Sequence, residues 1–169
     1  MLKKTKKKSA SKINLILGLT LLFVLGCVNI DEDIVLEDLS AREIFINAEK
    51  AWGNGDNEKA AELFLEIERI YPYSELAKQA LLNNAIVLQL EKDYEGSRLS
   101  ANRFITFYPA DKNTPYAYYL LALSYYDQID EIGRDQANTY EALKLFRIII
   151  ERYPESKFSS ASSLKKDLA

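Results

Sequence analysis

From about residue 41 onward, apolar residues recur at steps of three and four with charged residues between them. That is the period of a helix buried along one side. Three stretches carry it most clearly: Phe64, Ile67 and Tyr71; Ala101, Phe104 and Tyr108; Phe146, Ile149 and Tyr153. Each runs into the same dipeptide, Tyr71-Pro72, Tyr108-Pro109 and Tyr153-Pro154. A proline pushes the residue before it out of the α region, so each helix stops there. The pattern predicts helices over Glu58–Tyr71, Glu95–Tyr108 and Thr139–Tyr153. It predicts partners ahead of them over Ala41–Trp52, Glu75–Leu90 and Tyr116–Ile129, with Pro115 fitting the first turn of the last. Gly53 and the run Asn54-Gly55-Asp56 make the first inter-helix turn. No stretch alternates with the period of two that marks a half-buried strand.

The helix pairs repeat. Twelve residues before each of the three prolines stands a small residue: Ala60, Ser97 and Ala142. The prolines are 37 (72 to 109) and 45 (109 to 154) residues apart, close to a 34-residue helix-turn-helix unit with insertions. Ala48, Ala85 and Ala122 fall where paired helices must approach closely. The fold class expected is therefore all-α, an α-solenoid of three units plus the start of a fourth. The units are residues 41–74, 75–112, 113–154 and a partial one over 155–169. In the last, Phe158, Ala161, Leu164 and Leu168 are expected on one face. One helix pair cannot bury its apolar side alone, so stacking of neighbours is what holds such an array together.

The first 40 residues follow a different pattern. Six lysines (Lys3, Lys4, Lys6, Lys7, Lys8, Lys12) and no acid precede Ile13–Leu25, which is almost wholly apolar. Thirteen residues are too few for a helix that spans a bilayer, which needs ~20, but they suit the apolar region of a secretory signal. Val24-Leu25-Gly26-Cys27 follows, and Cys27 is the chain's one cysteine. The arrangement resembles a bacterial lipobox, which implies a signal peptide over 1–26, cleavage before Cys27 and diacylation of its thiol. An uncleaved anchor helix with an incidental cysteine is the other reading. Val28 after the cysteine resembles outer-membrane rather than inner-membrane sorting. Residues 27–40, rich in Asp and Glu, read as a tether.

Charge and composition narrow the function. Without its leader the chain carries 16 basic and 25 acidic residues, a net −9. Such a body is unsuited to nucleic acid, whose phosphates need cations. There is no histidine, so the commonest general base and metal ligand are both missing. A single cysteine rules out an internal disulfide framework and a Cys-rich zinc site. Asp127, Asp130, Glu131 and Asp135 cluster, but without the 12-residue loop and central glycine of a calcium site. A solvated loop, with Asp130 or Asp135 pairing Arg134, is the better reading. No catalytic residue, cofactor or metal is expected.

A small residue opening the second helix, an aromatic four later and a proline twelve later resemble the tetratricopeptide repeat (TPR). Ala60, Phe64, Pro72 and Ala142, Phe146, Pro154 match in full, while the middle unit departs with Ser97 and Ala101. Lipobox and Tyr-Pro units together resemble the BamD (ComL) family of outer-membrane assembly lipoproteins. Three segments carry the resemblance: Tyr71-Pro72-Tyr73-Ser74-Glu75, the insert Asp127 to Gln136, and Arg152-Tyr153-Pro154-Glu155-Ser156-Lys157-Phe158. It implies five repeats and hence a longer chain. It also implies a lipid-anchored, non-catalytic scaffold on the periplasmic face of the outer membrane. Implied partners are a BamA-like barrel assembly protein, other assembly lipoproteins, and the C-terminal targeting strands of unfolded outer-membrane proteins. A TPR lipoprotein serving pilus assembly or cell-envelope division is the alternative, and a lipid-tethered cell-wall hydrolase a more distant one.

In TPR arrays the first helices line the concave surface. The register set by the prolines puts Arg42, Phe45, Glu49 and Trp52 there from the first unit. From the second come Gln79, Leu82, Ile86 and Gln89, and from the third Tyr116, Tyr119, Leu123 and Tyr126. An aromatic, mostly uncharged groove suits an extended peptide with aromatic side chains. The competing reading makes the same aromatics inter-repeat core. Tyr118, Leu121 and Tyr125 are expected in the core, and Tyr71, Tyr108 and Tyr153 as structural plugs at the joints between repeats.

Overall fold

Local sequence fixes where the helices start. A computed structural model describes residues 36–129 and 136–168, all within one compact unit running from Val35 to Ala169. After a 3-10 turn at Leu36–Asp38 come seven helices. They are α1 (Ala41–Gly53), α2 (Asn57–Ile70), α3 (Glu75–Leu90), α4 (Tyr94–Phe107), α5 (Thr114–Tyr126), α6 (Ala137–Arg152) and α7 (Lys157–Leu168). Ser40 caps α1 in a reciprocal box: its Oγ accepts the Glu43 N–H, and Glu43 Oε2 accepts the Ser40 N–H at 2.8 Å. Asp56, Ser74 and Asp93 cap α2, α3 and α4 through their side chains. Each such cap contributes about 1 kcal/mol. At α5 the side-chain cap is missing and Pro115 occupies the first turn instead.

The two short inter-helix turns repeat one another 37 residues apart. Gly55 has φ +81° and Lys92 has φ 62°. The first unit meets the left-handed requirement with the residue suited to it, and the second accepts the strain.

Consecutive helices pack in pairs along the chain, and α1, α3, α5 and α7 also touch one another in succession. The first helices therefore share one side of the array. Ala60 and Ala142 are fully buried, as stacking at the start of a second helix demands. Ser97, in the same place, is also fully buried and donates its hydroxyl to the Ala85 carbonyl at 2.9 Å. The core falls into two clusters. One gathers Ile44, Ala48, Phe64 and Ile67 with Ala77, Ala80 and Val87 of α3. The other gathers Leu81, Leu82 and Ala85 of α3 with Phe104, Leu121, Phe146 and Ile149.

Polar contacts bridge these clusters. Asn84, 2% exposed, donates to the Ala61 carbonyl at 2.6 Å and accepts the Ser100 hydroxyl at 2.6 Å. One amide thus ties α2, α3 and α4 together. Asn84→Ala would take the acceptor from the buried Ser100 hydroxyl and the second donor from the Ala61 carbonyl. The expected cost is about 1–3 kcal/mol, measured as a lower midpoint in urea; an unchanged midpoint would mean water replaces the amide freely.

The three joint tyrosines lie where plugs are expected. Tyr71 donates its hydroxyl to the Leu39 carbonyl at 2.5 Å. The ring of Tyr108 lies 5.4 Å from Phe104, and that of Tyr153 5.9 Å from Tyr118. Ion pairs add further ties, Lys78 to Asp111 at 3.0 Å within the second unit and Arg103 to Glu68 between the second and first. Three expectations need correction. Helix α5 runs from Thr114 to Tyr126 rather than from Tyr116 to Ile129; its end is set by Gln128 and Ile129, which turn back to donate to the Tyr125 and Tyr126 carbonyls. Helix α6 starts at Ala137, two residues early. In α7, Phe158 packs against the core, but Leu164 and Leu168 are 65% and 68% exposed; the buried residue of that helix is Ser162. The carboxylates and Arg134 of the insert between 130 and 135 lie outside the described residues, as does Cys27.

Candidate peptide-binding surface

The proline register places the candidate residues on first helices, and packing then sorts them. In α1, Arg42 is exposed and Trp52 half-buried, with its indole edge-on to Phe64 at 6.2 Å. Phe45 is 8% exposed and packs edge-on against the same Phe64 at 5.5 Å. Its ring belongs to the core and leaves the candidate surface. The reason is the shared partner: Phe64 fills the space between α1 and α2, and a benzyl group at position 45 completes it. Ile46, one residue on, is 52% exposed instead. Sequence reasoning missed it, since the heptad-like register assigns that spot to its neighbour.

In α3, Gln79 is exposed, Leu82 buried and Ile86 half-buried. Gln89 donates to Asp127 at 2.7 Å across to the end of α5, leaving its own buried oxygen unbonded. A cleft of about 250 Å³ opens beside the N-terminal end of α3, lined by Glu75, Lys78, Gln79, Leu82, Asp111, Lys112 and Asn113. Lys78 bridges Glu75 at 2.6 Å and Asp111 at 3.0 Å. Hydrogen bonds to those two carboxylates hold its ammonium above the usual lysine range. Asp111 is held below the usual carboxylate range, chiefly by the Asn113 backbone N–H. The cleft is thus balanced in charge over a leucine floor.

The tyrosines of α5 form the most developed part of the surface. Tyr116 stacks on Phe158 of α7 with centroids 4.8 Å apart and planes at 13°. Tyr119 lies 5.3 Å from Phe158 and 6.2 Å from Phe146. Tyr126 meets Phe146 edge-on at 6.0 Å, and the Lys165 ammonium sits 4.1 Å over its ring. All three are half-buried. Groove and core are therefore not alternatives here. One side of each ring closes the seam between α5, α6 and α7, and the rest remains accessible. Burial raises the Tyr116 and Tyr119 hydroxyl pKa values, so both stay neutral donors. Leu121 is buried as expected, while Tyr118 and Tyr125 are half-buried; Tyr125 lies under the Arg98 guanidinium at 4.7 Å. Phe158 and Lys165 were legible only as helix residues of a following unit, because their contribution depends on how α7 packs.

The described residues contain no helix long and apolar enough to cross a membrane. Comparison with known proteins adds the family. Residues 37–168 match a family, YfiO, described as an outer membrane lipoprotein. Among curated relatives, the outer membrane protein assembly factor BamD of Caulobacter vibrioides is 31% identical over 135 residues, covering 80% of this chain and 44% of that protein. The protein of the same name in Rickettsia prowazekii is 41% identical over 110 residues, covering 65% of this chain and 44% of its own. That of Neisseria meningitidis is 24% identical over 169 residues, covering 94% and 63%. The chain spans about half the length of the curated relatives it matches.

Proposed function

We propose, from the premise that this chain belongs to the YfiO family of outer membrane lipoproteins, that it is a non-catalytic scaffold of the machinery assembling β-barrel proteins into that membrane. The observation that carries the proposal is the match across 37–168, which spans all seven helices. The role in the relatives' names, outer membrane protein assembly factor, supports this one.

In this reading the body faces the periplasm on a lipid at Cys27 and presents its first helices to client chains. The occupant of that side is the C-terminal strand of an unfolded barrel protein, extended and ending in an aromatic residue. Arg42, Trp52, Tyr116, Tyr119 and Tyr126 would receive it, through ring contacts and neutral phenol donors. A BamA-like barrel protein and other assembly lipoproteins are the partners. Titrating a labelled C-terminal barrel-strand peptide with the purified protein tests the reading. Saturable binding that is lost when the peptide's terminal aromatic is removed is expected; no binding overturns it.

The anchor has its own test. Cys27→Ser is expected to abolish incorporation of a fatty-acid probe and to release the protein from membranes. Equal labelling of both forms would place the lipid on another residue.

A further inference from the structure

The turn that follows each second helix is built three times on one plan. The Ser74, Asp111 and Ser156 N–H groups donate back to the Tyr71, Tyr108 and Tyr153 carbonyls. Proline is second in each turn, and the residue after it sits at the tip, being Tyr73, Ala110 and Glu155. All three tips are exposed, but only one is aromatic, and Tyr73 is 101% exposed. Among the described residues that ring has no packing partner. The sister turns hold Ala and Glu at that place, so the turn itself does not require the ring.

The first turn also differs in what it is stitched to. Tyr71 donates its hydroxyl to the Leu39 carbonyl, Arg69 pairs with Glu37 at 2.6 Å, and Leu36 and Leu39 pack on the first core cluster. The chain arriving from Cys27 is thereby clamped beside Tyr71-Pro72-Tyr73. Eight residues, 28–35, separate Cys27 from this clamp. At ~3.3–3.6 Å per residue they reach at most about 30 Å, and a relaxed chain of that length spans roughly half as much.

We infer that Tyr73 is an interfacial contact with the lipid surface that holds the protein, seating the first unit against the headgroups. The inference rests on the lipid-anchor reading of Cys27. Tyrosine favours the membrane–water interface because its ring is apolar and its hydroxyl remains wet. One such residue binds a membrane weakly by itself. Held on a short leash it needs no more, because the anchor has already supplied the local concentration. Around the turn Arg69 pairs with both Glu37 and Glu66, and Lys78 with Glu75; with Asp31, Glu32 and Asp33 in the tether the local balance is acidic, so the ring and not charge makes the contact. The consequence is orientation, with the Tyr71–Ser74 turn facing the bilayer.

The experiment uses the full chain, expressed with its leader and reconstituted into phosphatidylethanolamine vesicles with brominated acyl chains. Trp52 is the sole tryptophan, so Tyr73→Trp is made in a Trp52→Phe background, with Ala110→Trp as the matched turn. Circular dichroism checks the fold, and a fatty-acid probe on Cys27 is read in the same samples. Emission of Y73W should fall about twofold against unbrominated vesicles, as expected for a side chain at the headgroup–acyl boundary, while A110W changes little. A labelled protein in which both variants are equally unquenched overturns the inference and leaves the anchor standing. Quenching of neither variant but shielding of Y73W from iodide would reassign the ring to a protein partner and overturn it too. Absence of the label overturns the anchor reading, and this inference with it.

Discussion

Replacing Phe146 by alanine is expected to destabilise the folded unit by about 3–5 kcal/mol, the range found when a phenyl ring is removed from a closed core. Phe146 is fully buried. Its ring is shared by Tyr119 and Tyr126 of the preceding helix, at 6.2 and 6.0 Å. Deleting it opens a cavity under both tyrosines, and two half-buried rings on different turns of α5 cannot collapse into one hole. A loss of that size is a large share of the ~5–15 kcal/mol that holds a typical domain together. Thermal unfolding followed by circular dichroism should show a midpoint lower by roughly 10 °C or more. Contacts in an array run mainly between neighbours, so the loss should appear first in α5–α7. An unchanged midpoint would contradict the seam described here.

Truncating Tyr119 and Tyr126 together to alanine is expected to weaken binding of a C-terminal barrel-strand peptide at least about tenfold, or 1.4 kcal/mol. Aromatic anchors are the side chains whose removal most often dominates a binding energy. Both rings also serve the seam, so the variant should melt somewhat lower while keeping its helical spectrum. Tyr126→Phe separates the ring from its hydroxyl. It keeps the ring under the Lys165 ammonium and beside Phe146, and loses only the hydroxyl. If binding survives in the phenylalanine variant and fails in the double alanine one, the rings carry recognition. If the double variant unfolds, they are core residues. If it folds and binds as before, the strand uses another surface.

Much of the scaffold could be read from residues that act locally. The Tyr-Pro stops hold to within a residue at Ile70, Phe107 and Arg152, because the proline ring acts on its immediate neighbour whatever the fold around it. Helix α3 runs over Glu75–Leu90 as its periodicity requires. Ala60 and Ala142 are buried because stacking leaves them no room. Where local signals were weak, bounds moved: α5 lacks a stop residue, and hydrogen bonds in the turn beyond it decided its end.

The all-α repeat, its register, the small residues at the helix crossings and the family resemblance are all legible along the chain. These follow from steric rules and a period, which are properties of neighbours in the chain. Which face of each first helix stays open depends instead on packing between units. Phe45 and Tyr119 hold the same register position, yet the first is core and the second half-exposed. The difference lies in what stands across from them. Phe45 fills a gap against Phe64, while Tyr119 shares Phe146 and Phe158 with two other tyrosines and cannot sink as far. Burial at a given position is set by the volume that partners distant in sequence leave free, and no single helix carries that information.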